Sequence, residues 1–172
     1  MSKFKDLSEL LAHFQIEKWD ILLIGDGSGS ATGPCGWGCI SIEKEGLKRS
    51  TWSGNLSEGT VNVAEYMAYI QPLIHFSRQQ TKAASCKYVH IFTDSQVVAT
   101  ASPSFVCGKF LTNFLAFGLI VKTHWLPRET LQGNKLVDKI SKYARADAKG
   151  ARYVENALSI MGKKDIYEIE PS

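Results

Sequence analysis

Four acidic residues, Asp26, Glu65, Asp94 and Asp138, stand where the surrounding sequence gives each a structural role. Asp26 closes the apolar run Ile21-Leu-Leu-Ile-Gly and opens Asp-Gly-Ser, while Asp94 closes Tyr88-Val-His-Ile-Phe-Thr and opens Asp-Ser-Gln. Both patterns put a carboxylate where a β-strand meets a turn. Glu65 and Asp138 fall instead among apolar residues at helical spacing. Carboxylates in such places are costly to bury unless positive charge neutralises them, and hard divalent cations that prefer oxygen ligands do so. Taken together, the four read as one metal-binding cluster, suited to magnesium-assisted phosphodiester chemistry. Asp138 also has a simpler reading, because a carboxylate in the first turn of a helix is favoured by the helix dipole alone.

The elements that must position these groups follow from the hydrophobic pattern. Phe4, Leu7, Leu10, Leu11 and Phe14 give a short amphipathic helix over residues 4–16. Strands follow at 19–26, 39–43 and 47–53 as an antiparallel meander, with Gly33-Pro-Cys-Gly-Trp-Gly read as hairpin chemistry. That Gly-rich loop leads into a strand rather than a helix, so it is not a helix-terminus phosphate cradle. A helix begins near Thr60, carries Glu65, and meets Pro72, which should kink or end it. The strand at 87–93, reached by a helical crossover, should lie parallel to the first and bring Asp94 to the same sheet edge as Asp26. Helical segments are expected to about residue 101 and over 105–117, with a fifth strand at 118–124. A long helix capped by Asn134 carries Asp138 and ends at Gly162.

The chain has 172 residues, 44% hydrophobic and 22% charged, which suits one catalytic domain with a sizeable core. We divide it into an accessory helix at residues 1–18, a main domain at 19–162 and a short tail at 163–172. No apolar run is long enough to span a membrane and the N-terminus lacks a secretory pattern, so a cytoplasmic protein without membrane association is expected. Cys35, Cys39, Cys86 and Cys107 show no paired metal-binding spacing and read as reduced, buried thiols. The net charge is only +3, yet ten Lys or Arg residues against four acidic ones lie between Lys122 and Lys164. That excess is either a phosphate-facing surface or a solvated helix face.

The order of these pieces resembles the ribonuclease H family over roughly residues 19–146. The pieces are Gly25-Asp-Gly-Ser with Gly33-Pro-Cys-Gly-Trp-Gly, Asn62-Val-Ala-Glu-Tyr-Met-Ala, Phe92-Thr-Asp-Ser-Gln-Val-Val, and Pro127-Arg-Glu followed by Asn134-Lys-Leu-Val-Asp. Each is weak alone, but together, in order and on the expected elements, they are specific. The resemblance implies a ribonuclease H-like α/β fold: a five-stranded mixed sheet of order 3-2-1-4-5 with helices on both faces. It also implies that Asp26, Glu65, Asp94 and Asp138 hold two magnesium ions, with manganese as a substitute, about 3.5 to 4 Å apart across the scissile phosphate.

The implied activity is endonucleolytic hydrolysis of the RNA strand of RNA·DNA hybrids, leaving 3′-hydroxyl and 5′-phosphate ends, with no obligatory protein partner. Double-stranded RNA or branched DNA as substrate, or a non-catalytic nucleic-acid-binding module, are the alternatives on the same fold. Asn62 and Gln96 match positions that contact ribose 2′-hydroxyls, against capping and first-turn readings. Ser28 either contacts a phosphate or serves the turn. His124 stands near the place of a family histidine that assists proton transfer, or is a satisfied structural histidine. Trp125 reads as a core residue rather than a stacking surface.

Overall fold

The computed structural model describes residues 7–29, 33–79, 86–100 and 118–127, together with 137, 138, 140–142 and 144. A short helix α1 (Leu7–His13) precedes strands β1 (Ile21–Ser28), β2 (Cys35–Glu43) and β3 (Lys48–Leu56), which a 3-10 turn at Glu45–Leu47 helps connect. Helix α2 (Val61–Gln79), strand β4 (Lys87–Thr93), helix α3 (Gln96–Thr100) and strand β5 (Leu119–Trp125) follow. The described residues from 137 to 144 are helical.

The five strands form one sheet of order β3-β2-β1-β4-β5. β1 to β3 are an antiparallel meander, and β4 and β5 run parallel to β1, as the crossover through α2 requires. Alternation divides the core between the two faces. Ile21 and Leu23 of β1, with Val89 and Ile91 of β4, pack under Tyr66, Tyr69, Leu73 and Phe76 of α2. Leu22 and Ile24, with Ile40, Ile42 and Phe92, pack on the other face against Leu10 of α1 and Val137. Every residue of β1 is buried, because both faces of the central strand are covered.

Three expectations are corrected here. β1 does not end at Asp26 but runs to Ser28, and β2 begins at Cys35, so most of Gly33-Pro-Cys-Gly-Trp-Gly is paired strand rather than turn: Asp26 faces Gly38 and Ser28 faces Gly36. Strand pairing recruits these glycines because both neighbouring strands supply hydrogen-bond partners. Pro72 does not end α2, which continues to Gln79. One lost backbone bond is outweighed where Pro72, Leu73 and Phe76 are buried against the sheet. Cys86 is exposed, whereas Cys35 and Cys39 are buried as expected. The helix expected at 105–117, Cys107, the cap at Asn134, the helix beyond residue 144 and the tail lie outside the described residues.

Candidate active site

Asp26 sits in β1 and is 3% exposed; Glu65 sits one turn into α2 and is 9% exposed. Asp94 follows the last residue of β4 at a bend. Each of the three offers an oxygen within 4.8 Å of the others. The convergence has local causes. Thr60 starts α2, its carbonyl accepting from Ala64 N at 3.1 Å and its hydroxyl from Val63 N at 3.3 Å. Glu65 is thereby fixed near the helix start, over the end of β1. Asp94 is held by the turn that follows: Thr93 Oγ1 accepts from Ser95 N, and Ser95 Oγ accepts from Val98 N as the cap of α3. Trp125 Nε1 donates to the Asp94 carbonyl at 3.2 Å.

Two glycines that local sequence reading assigned to turns set the approach of the helices. A methyl group at Gly27 would run into the backbone of Ala64 and Glu65, so only glycine lets α2 carry Glu65 down onto β1. A methyl at Gly38 would stand 2.6 Å from Ile140 Cγ2 and 3.1 Å from the Val137 carbonyl, so glycine likewise admits the helical segment that carries Asp138. Gly27 has a signal in the sequence, since it adjoins Asp26, whereas the pairing of Gly38 with Asp26 emerges only from the register of the meander.

Asp138 lies close enough to Asp26 to raise its carboxyl further, and is ion-paired to Lys142 Nζ at 2.9 Å. It stands outside the 4.8 Å set of three. Burial above all, then the charges of Asp94 and Glu65 and the contact with Asp138, pushes the Asp26 carboxyl up to about 9. One oxygen of Asp26 accepts from its neighbour Gly27 N at 2.9 Å, which does not offset that crowding. Three carboxylates at this spacing are a hard oxygen donor set, and the protonation forced on Asp26 is what a divalent cation would relieve. The residues therefore fit magnesium or manganese.

Of the residues expected to contact substrate, Ser28 lies at the buried end of β1, Asn62 is half-buried one turn before Glu65, and Gln96 is exposed in the first turn of α3. His124 belongs to a different constellation. Its Nε2 lies 2.8 Å from His90 Nδ1, and His90 Nε2 lies 2.9 Å from the Lys18 carbonyl. The carbonyl can only accept, so the network assigns the proton of neutral His90 to Nε2; His90 Nδ1 then accepts and His124 Nε2 donates. Phe14 and Phe92 pack on the His124 ring. Burial, then His90 and Lys122, lowers the His124 imidazolium to about 4. His90 is also lowered, chiefly by burial. Trp125 is not a core residue: it is 41% exposed, because its indole N–H reaches the Asp94 carbonyl at the sheet edge instead of turning inward.

A mixed sheet of order β3-β2-β1-β4-β5 with helices on both faces is the ribonuclease H-like fold. Among solved structures, the chain is similar to an N-terminal RNase H domain from Mycobacterium tuberculosis, at TM-score 0.57 and 18% identity over 80% of this chain and 97% of that one. It is similar to RNase H1 from the halophilic archaeon Halobacterium salinarum, at TM-score 0.59 and 20% identity over 74% of this chain and 98% of that one. A third similar structure is LC11-RNase H1 in complex with RNA/DNA hybrid, at TM-score 0.58 and 21% identity over 74% of this chain and 98% of that one. No protein-family model and no curated protein matches the sequence. No helix among the described residues is long and apolar enough to cross a membrane.

Proposed function

We propose that this protein is a metal-dependent endonuclease that hydrolyses the RNA strand of RNA·DNA hybrids, leaving 3′-hydroxyl and 5′-phosphate ends. One observation carries the reading: Asp26, Glu65 and Asp94 present oxygens within 4.8 Å of one another at the edge of a ribonuclease H-like sheet. Asp26, Glu65, Asp94 and Asp138 would hold two magnesium ions, or manganese in their place. When bound, these supply the positive charge that makes water nucleophilic near neutral pH and balances the charge growing on the leaving oxygen.

The chain's own groups do the rest. Burial, the charges of Asp94 and Glu65 and the nearness of Asp138 favour the protonated form of Asp26, and a bound cation would favour its ionised form. Asp138, ion-paired to Lys142, adds its negative charge beside Asp26. Ser28, Asn62 and Gln96 each lie within three residues of one of the carboxylates. Their neutral donors and acceptors suit phosphate oxygens, and also ribose 2′-hydroxyls, which alone of the two distinguish an RNA strand from DNA. Trp125 adds an exposed aromatic face beside Asp94 on which a sugar or base can lie. His124 is neutral near pH 7 and occupied by His90, so its part is to order the end of β5. Buried thiols at Cys35 and Cys39 fit a cytoplasmic location.

Labelled hybrid, double-stranded RNA, duplex DNA and branched DNA, incubated side by side with the protein and magnesium, test the proposal. Cleavage confined to the RNA strand of the hybrid, and its loss in Asp94→Asn with the fold intact, is the expected result. Cleavage of another duplex in preference to the hybrid would reject the substrate, and persisting activity in Asp94→Asn would reject the site.

A further inference from the structure

The parallel register between β1 and β4 runs from Ile21↔Val89 to Ile24↔Phe92. Just beyond it, each strand leads to a carboxylate, Asp26 on one side and Asp94 on the other. The hydroxyl of Tyr69 stands at that end of the ladder. It accepts from Gly25 N at 3.1 Å and lies 2.8 Å from the Gly25 carbonyl and 2.9 Å from the Phe92 carbonyl, to either of which its single proton can be given. Tyr69 is fully buried and lies one turn after Glu65 on α2. A single hydroxyl thus ties together the three elements that supply Asp26, Glu65 and Asp94.

We infer that Tyr69 is a positioning residue of the metal site, its hydroxyl replacing the next step of the β1–β4 ladder and fixing the spread between the two strands that carry Asp26 and Asp94. The inference rests on the proposed reading of the acidic cluster as a metal site. Phenylalanine at this position keeps the ring and removes the tie, leaving buried backbone groups of Gly25 and Phe92 to be satisfied by strand movement. Tyr66 provides a matched control. It lies on the same helix, is buried, and donates to the Val97 carbonyl at 3.0 Å, but it holds α3 instead of the β1–β4 gap.

The test measures thermal stabilisation by magnesium and by manganese across a concentration series in the wild type, Asp26→Asn, Tyr69→Phe and Tyr66→Phe. The expected result is a wild-type shift that Asp26→Asn abolishes and a midpoint raised about 10- to 100-fold in Tyr69→Phe, as for residues that orient metal ligands. Tyr66→Phe should lower the metal-free Tm and leave the midpoint where it is. An unchanged midpoint in Tyr69→Phe, or an equal rise in Tyr66→Phe, overturns the role of Tyr69 alone. A wild type with no metal response, or a full response in Asp26→Asn, overturns the metal-site reading and this inference with it. Should Tyr69→Phe not fold, hydrogen exchange of the wild-type Gly25 amide decides: protection that magnesium deepens supports the tie, and exchange at the rate of an exposed amide overturns it.

Discussion

Two groups of titratable side chains meet at β4, which carries His90 and leads to Asp94, and they resolve burial in opposite ways. His90 and His124 complete one another: His90 Nε2–H donates to the Lys18 carbonyl, His124 Nε2–H donates to His90 Nδ1, and both imidazoles stay neutral. Asp26, Glu65 and Asp94 cannot do this, since ionised carboxylates only accept, and burial, with the neighbouring charges behind it, pushes the Asp26 carboxyl up to about 9. The histidine pair belongs to the scaffold because nothing from outside is needed to settle it. The carboxylates crowd like charge into a buried place, and a cation there would relieve it, in keeping with the proposed metal site.

Removing a group from each side sharpens this contrast. Asp26→Asn should lower hybrid cleavage by about a thousandfold or more, since a metal-assisted site loses several kcal/mol of transition-state stabilisation with a ligand. The same change should stabilise the metal-free protein at pH 8. The sign follows from a folded-state carboxyl held at about 9 against an ordinary 3.8: metal-free wild type loses stability as pH rises through that window, and the variant should show a flattened slope. Melting curves from pH 5 to 9 in a chelator check it, and an unchanged slope would mean that Asp26 is not strained.

Gly38→Ala should cost about 1–3 kcal/mol by forcing Ile140 away, and lower cleavage by roughly 10- to 100-fold through displacement of Asp138. Denaturant unfolding and initial rates measure the two effects separately, and a full rate at reduced stability would exclude Asp138 from the site. The smallest change in rate is expected for His124→Asn, within about fivefold, alongside a loss of about 1 kcal/mol from the broken pair. Because the folded imidazole is lowered from 6.5 to about 4, its contribution is complete above 6.5 and disappears as pH falls toward 4. The variant should lose that acid limb; a hundredfold drop in cleavage with the fold intact would instead give His124 a part in the reaction.

Much of the fold could be read from local pattern. The run at Lys87–Thr93 stands where the alternation of apolar residues placed it, and the parallel crossover brings Asp26 and Asp94 together as the helical connection required. What escaped depends on register between distant strands. Nothing near His90 announces that position 124 will lie across from Phe92 and bring the two imidazoles into contact. Tyr69 sits in an apolar helical stripe and looks like core until the end of the β1–β4 ladder is known. Gly38 resembles turn chemistry because the helix that it admits comes a hundred residues later. The exposure of Trp125 is not legible in the sequence for a related reason, since its indole partner is the backbone carbonyl of Asp94, at the bend past the end of β4.

The meander of β1, β2 and β3 joins residues close in sequence, whereas β4 reaches β1 only after α2 has been traversed. Closing that larger loop loses more chain entropy, so the meander is expected to form early and the parallel pairing late on the folding route. The mutually repelling acids then stay apart while the chain is still searching and meet only once the barrier has been crossed. Magnesium should accordingly slow unfolding in stopped-flow experiments and leave the refolding rate almost untouched.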